Sequence, residues 1–382
     1  MKIPNFAAME KVYLDNAATT PIRQEVIDVM IKTMTEEFGN PSSNHSFGRS
    51  AKSIIELSRK KIAKILNVSS QEIIFTSGAT EANNMILRSA ARDLGVKRII
   101  TSRVEHHAVL HTIQELQKET GVEVDYVGIN REGCVDLSGL VTLLSEQIPT
   151  LVSLMHVNNE TGAVCDISAI GRICKQHNAY FHSDTVQSVG KIKLDLQEIA
   201  VDFMVASAHK FHGPKGIGFA FIRKGTIVHP MVFGGEQEKG LRPGTESVHN
   251  IAGMAAALEL SYEHLEEEHQ HICELKKYAI GKLRSAFPEM LINGGESCFY
   301  NILNISLPFD PEKASMILFT LDMKGIAVSR GSACQSGSVR PSHVLAEMLS
   351  EDELAMAGLR ISFSHYNTTS DIDKLTEALL AV

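Results

Sequence analysis

Five short apolar runs, each breaking off into a polar cluster, constrain this 382-residue chain more than any other feature in it. They are "EIIFTSGATEANN" (72–84), "RIITSRVEHHAVL" (98–110), "LVSLMHVNNETG" (151–162), "AYFHSDTVQSVG" (179–190) and "FMVASAHK" (203–210). Helix-like segments separate many of them. Short apolar runs bounded by turn residues read as buried strands, and strands joined by helical crossovers build a mostly parallel sheet. Ligands in such sheets bind beyond the carboxyl ends of the strands. All five polar clusters then gather on one edge, although they lie far apart in sequence. That convergence says more than any one cluster.

The texture changes after Gly244. Residues 250–287 read as one long amphipathic helix, with alanines early and "EEEHQH" later. "YNILNISLP", "GIAVS" and "LRISFS" then read as strands, and 370–380 as a closing helix. This is a smaller α+β unit. The chain length suits two or three domains, or one large and one small. With 44% apolar and 21% charged residues it can bury a large core. A net charge of −8 argues against nucleic acid as the main ligand. No apolar run nears the ~18 residues of a membrane span. The opening "MKIPNFAAMEKV" has no apolar signal region. Six scattered cysteines form no CxxC pair, so neither a metal site nor a disulfide framework is expected, and a reducing cytoplasm is the simplest home.

Three features carry chemistry. "TSGATEANN" follows a strand and opens a helix, where Gly78 lets the backbone approach and free N–H groups face an anion. The same pattern serves as a plain helix cap. It is neither a P-loop nor a GxGxxG turn, so a dinucleotide reading has little support. Asp184 ends the "AYFHS" run, where a carboxylate caps the next helix or holds a pyridine nitrogen protonated. Lys210 stands at the mouth of the "GPKGIG" turn, either as a surface lysine or as an amine for covalent chemistry. Lysine, acid and phosphate-binding turn are together what pyridoxal phosphate requires.

"YLDNAATTP", "FGNPSS", "FTSGATEANN", "MHVNNETG", "AHKFHGPKGIG", "RPGTESV" and "RGSACQSG" together resemble the cysteine desulfurases. These are class V aminotransferase-type members of the fold-type I pyridoxal-phosphate enzymes. The match runs in order along nearly the whole chain, and the glycine-serine-alanine-cysteine form resembles the housekeeping and nitrogen-fixation branch. The resemblance implies an α/β fold with a large domain on a mostly parallel seven-stranded sheet and a smaller α+β C-terminal domain. Residues 1–15 would pack with the small domain, 16–250 would bind the cofactor, and 251–382 would carry the cysteine loop.

The resemblance also implies roles. Lys210 would carry the cofactor as a Schiff base. Ala79, Thr80, Ser207 and His209 would bind its phosphate, and Thr245 would reach the phosphate of a neighbouring subunit in a homodimer. Asp184 would pair with the pyridine nitrogen, Gln187 would contact the ring hydroxyl, and Asn159 would contact cofactor or substrate. His106 would stack on the ring and move protons, although His107 and His111 stand close by. Arg360 would grip the substrate carboxylate bidentately, an ordinary salt bridge being its other reading. Cys334 sits among serines and glycines in "SRGSACQSGS", which suits an exposed, reactive thiol. L-cysteine would give L-alanine, with its sulfur passed to Cys334 and then to an iron–sulfur scaffold or another acceptor, such as one for tRNA thiolation.

Some residues depart from common family forms. "AHK" replaces the frequent glycine-histidine-lysine. Arg330 stands where a small residue is common, which bears on loop electrostatics and docking. The chain ends soon after Arg360, which bears on the acceptor. An aminotransferase or a kynureninase-like lyase would share Lys210 and Asp184, and the Cys334 segment separates those readings. A selenocysteine lyase would differ in its preference for selenium. A silent cofactor-binding or sulfur-carrier protein should lack one of Lys210, His106 or Cys334, and all three are present.

Overall fold

The computed structural model describes residues 11–330 and 342–382. Its first strand, β1 (Val12–Tyr13), stands apart from the large sheet that follows. That sheet holds β2 (Ile73–Thr76), β3 (Arg98–Thr101), β4 (Glu123–Tyr126), β5 (Thr150–Ser153), β6 (Tyr180–Asp184), β7 (Phe203–Ser207) and β8 (Gly218–Ile222). The order across it is β2-β8-β7-β6-β5-β3-β4. Only β8 runs against the rest: it pairs antiparallel with both β2 and β7. β2, β3, β5, β6 and β7 therefore all point their carboxyl ends the same way, which brings the five polar clusters to one edge.

Side chains alternate between two cores, as a pleated strand requires. On β7, Met204 and Ala206 face one core, while Phe203 and Val205 face the other. The first core is closed by the helices Ser46–Ile65, Ile167–Gln176 and Val248–Glu263, the second by Ala79–Asp93 and His107–Thr120. Burial on both faces explains the apolar runs of β2, β7 and β8.

A third core lies around β9 (Leu291–Asn293), β10 (Ile302–Leu307) and β12 (Ala357–Ser362), an antiparallel sheet in the order β12-β10-β9. "GIAVS" meets β12 through an isolated bridge, Ser329 to Arg360, but adds no strand to this sheet. Only Ile326–Ala327 form a strand there, β11, and it pairs in parallel with β1. Val12 and Leu14 are buried in this core beside Ile326.

The expected long helix is broken at His264 into Val248–Glu263 and Leu265–Ala286. The first piece, rich in alanine, packs on the large-sheet core, and the second packs on the small one. A straight rod cannot follow both. Glu266, Glu267 and Glu268 sit in the first turn of the second piece, where the helix dipole favours negative charge.

Candidate active site

Chain turns at the carboxyl edge of the large sheet place the titratable groups. After β7 a single 3₁₀ turn, Ala208–Lys210, carries the lysine. Lys210 Nζ donates to Ala17 O at 2.7 Å and Ala18 O at 2.8 Å, both in the "LDNAATT" turn. His209 Nδ1 lies 3.1 Å from Thr19 Oγ1, and burial pushes the imidazole down to about 4. Ser207 Oγ accepts the N–H of Ala79 at 2.8 Å, tying the end of β7 to the first residue of the helix Ala79–Asp93. Gly78 precedes that helix at φ 154°, and a Cβ there would meet Ser207 Oγ at 3.4 Å. Thr80 is exposed beside this helix start.

Asp184 ends β6 and is buried. Among the described residues its donors are two neutral groups, Asn83 Nδ2 at 2.8 Å and Val186 N at 3.1 Å. A buried carboxylate held only by neutral donors suits a cationic ring nitrogen. With an amine at Lys210 and a helix start at Ala79, the donor set fits pyridoxal phosphate.

His106 caps the helix His107–Thr120, its Nδ1 accepting Ala108 N–H at 3.1 Å. That bond leaves Nδ1 unprotonated, so the neutral ring carries its proton on Nε2. Burial is the main force holding His106 below the usual histidine range; Asp184 opposes it and Lys210 reinforces it.

Gln187 is engaged on both sides: Nε2 donates to Ala17 O at 2.9 Å and Oε1 accepts Lys191 Nζ at 3.0 Å. Asn159 presents its carbonyl to Arg360 Nη1 at 2.9 Å. Arg360 Nη2 holds Asp15 Oδ1 at 2.6 Å, while its buried Nε has no partner among the described residues. The salt-bridge reading of Arg360 is thus present in the molecule. Thr245 is exposed and lines a recess of about 140 Å³ with Thr76, Ser77 and Arg242 of its own chain.

Cys334 lies outside the described residues. Both flanks of its segment attach to the site. Ser329 exchanges backbone hydrogen bonds with Arg360 at 3.2 and 2.6 Å. Ser342 Oγ donates to buried Glu160, and His343 Nε2 lies 3.0 Å from Glu105 O. Arg330 donates to Ala314 O at 2.5 Å.

Residues 12–375 match the family described as Aminotransferase class-V. The chain belongs to that family. Within the class-V group it is 44% identical to the cysteine desulfurase IscS of Dictyoglomus turgidum, over 97% of this chain and 93% of that one. A solved NifS-like protein superposes with a TM-score of 0.89 at 37% identity, covering 97% of this chain and 99% of that chain. A structure described as SspA in complex with cysteine superposes at 0.80 with 31% identity, over 94% and 100% of the two chains. The mostly parallel seven-stranded sheet is the fold of this class-V set.

Sequence reasoning passed over several residues of this class-V site. Asp15 was visible only as part of "YLDNAATTP". Glu105 directly precedes His106 and is wholly buried; burial, reinforced by Asp184, pushes its carboxyl up to about 8. Lys191 lies in the same turn as Gln187, after β6, and burial, then Lys210, pulls its amine down to about 7. Cys165 donates its backbone N–H to His156 O at 2.8 Å, in the segment that follows β5.

Proposed function

We propose that this protein is a pyridoxal-phosphate-dependent cysteine desulfurase. It takes L-cysteine and the Cys334 thiol and yields L-alanine and a Cys334 persulfide. The observation that carries this reading is the meeting of Lys210, Asp184, His106 and the Ala79 helix start at one sheet edge, in a chain so close to the desulfurases. When bound, the cofactor supplies an aldehyde for the substrate amine and a cationic ring that draws electrons from the substrate Cα.

The chain's own residues do the rest. Lys210 would hold the cofactor through its amine and, when that amine is free, would be placed to accept or give a proton. Asp184 keeps the ring nitrogen protonated. The N–H groups after Gly78, with Thr80, Ser207 and His209, hold the phosphate. Gln187, its Oε1 taken by Lys191, has only its amide N–H to offer the ring oxygen. Arg360 takes the substrate carboxylate, using Nε and sharing or exchanging the oxygen of Asp15. His106 moves a proton through Nε2. Cys334 attacks the substrate sulfur as a thiolate and holds it for transfer.

The other cysteines are poor substitutes for Cys334. Burial raises the thiols of Cys134, Cys165, Cys174 and Cys273, Cys165 to about 12. Cys298 is buried. The working form is a homodimer, with Thr245 serving the partner's phosphate, and the sulfur acceptor is a scaffold or carrier protein. No helix among the described residues is long and apolar enough to cross a membrane. A cytoplasmic location is part of this proposal.

The test is turnover of L-cysteine by the cofactor-loaded protein. Alanine should form in step with sulfide when a thiol reductant is present, and L-selenocysteine should not be strongly preferred. Transamination to a keto acid would replace this reading with an aminotransferase.

A further inference from the structure

Lys276 and Cys298 form a contact that the desulfurase reading does not use. Lys276 projects from the helix Leu265–Ala286 into the small-domain core and is 5% exposed. Its ammonium donates to Cys298 O at 2.9 Å, Phe299 O at 3.0 Å and Cys298 Sγ at 3.0 Å. No carboxylate is among these partners. Cys298 is 7% exposed, and among the described residues its sulfur has one other polar neighbour, Ile302 O at 3.4 Å.

Three physical facts bear on what such a pair does. Two carbonyls and the thiol hold the nitrogen against the sulfur, so the pair is pre-aligned before any reaction. A buried ammonium without a counter-charge is costly to maintain, and a reaction that removes the charge relieves that cost. Cysteine sulfur oxidised to the sulfenic level condenses with a neighbouring nucleophile when one is in place, and otherwise advances to irreversible acids. A single bridging atom spans the 3.0 Å gap with little movement of either side chain.

We propose that Lys276 and Cys298 are a redox modification site, where a peroxide joins the side chains through one oxygen as an N–O–S cross-link. The balance is complete with two peroxide equivalents. The first converts the Cys298 S–H to S–OH and leaves as one water. Lys276 releases its ammonium proton to solvent. The second peroxide accepts the sulfenic hydrogen and one amine hydrogen, becomes two waters, and an O–N bond forms. Two equivalents of a dithiol reductant reverse the change, returning the thiol, the amine and one water.

The cross-link staples the helix Leu265–Ala286 to the segment that reaches the active-site turn. Phe299, the residue after Cys298, donates its N–H to Gly162 O at 2.7 Å, and Tyr300 Oη donates to Lys191 O at 3.2 Å. Oxidation therefore stiffens the seam between the small-domain helix and the wall of the site, and it does so independently of Cys334.

The test treats the cofactor-loaded wild-type protein with dilute hydrogen peroxide, alkylates it, digests it and weighs the peptides. The expected product is the Lys276 peptide joined to the Cys298 peptide, with one oxygen gained and two hydrogens lost, and separated again by dithiothreitol. The oxidised protein melts at a higher temperature than the reduced one, and dithiothreitol abolishes the difference. Lys276→Met loses the joined peptide and carries Cys298 on to the sulfinic acid; Cys298→Ser gives no joined peptide. Wild-type Cys298 found as free thiol or sulfinic acid beside unmodified Lys276 would overturn the proposal. So would peptides joined without the added oxygen.

Discussion

Arg360 Nη2 holds Asp15 Oδ1 at 2.6 Å across 345 residues of chain. The bond ties β12 of the small sheet to the turn whose next carbonyls, at Ala17 and Ala18, hold Lys210. The proposed substrate-carboxylate ligand and the proposed covalent lysine thus share one short turn as their common support.

The first prediction concerns that guanidinium. If Arg360 takes the substrate carboxylate, Arg360→Ala removes a charge-assisted pair worth ~1.5–3 kcal/mol and should raise KM for cysteine about 10- to 100-fold. Arg360→Lys keeps the charge but not the fork and should fall between. Steady-state kinetics decide it. A loss confined to kcat, with KM unchanged, would assign Arg360 to structure alone.

Glu105 gives a prediction with a definite sign. Its carboxyl is pushed up to about 8 in the folded protein, chiefly by burial, against an ordinary value of 4.5. Between those values the folded state binds more protons than the unfolded one. Its stability contribution is therefore present at low pH and is lost as pH rises toward 8, a change of at most ~5 kcal/mol. Oε1 accepts Ser102 Oγ and Met155 N–H, while Oε2 has no partner among the described residues and is the seat of the proton. Glu105→Gln mimics the protonated form, so denaturant unfolding at pH 5.5 and 8.5 should show a flatter dependence in the variant. Equal pH dependence in both proteins would contradict the buried-acid account.

A third prediction is structural. Arg59 and Glu238 form a buried bidentate pair at 2.6 and 2.7 Å, and Glu238 also accepts the N–H of Phe75 on β2 at 2.8 Å. This pair pins the connection that carries Thr245 against the large sheet. Glu238→Gln leaves buried Arg59 with only the longer 3.4 Å contact to half-exposed Glu56 and should cost ~3 kcal/mol in urea unfolding. Sedimentation of the same variant should show a weaker dimer, if Thr245 crosses to the partner subunit. An unchanged midpoint and an unchanged dimer would separate this loop from assembly.

The strands read from sequence were those buried on both faces, such as β2 and β7, where apolar residues run together up to a polar end. β4 was passed over although "EVDY" alternates polar and apolar residues, as a partly exposed edge strand does; the pattern is short and ends in no polar cluster. The antiparallel course of β8 is set by the short turn after Lys210 and not by its composition. The break at His264 comes from two separate cores pulling on one helical pattern. At the site, Lys210 and Asp184 were legible because each ends a buried strand. Asp15, Glu105 and Lys191 were not, since a short-range pattern carries no sign of a partner hundreds of residues away or of complete burial.

In the proposed reaction sulfur passes to one cysteine. Its most direct test is mass analysis of the cofactor-loaded protein after brief exposure to L-cysteine and rapid alkylation. The account predicts one added sulfur on the peptide holding Cys334, with alanine release lost in Cys334→Ala while cofactor binding persists. Sulfur found on another cysteine, or alanine released at the wild-type rate by Cys334→Ala, would contradict it.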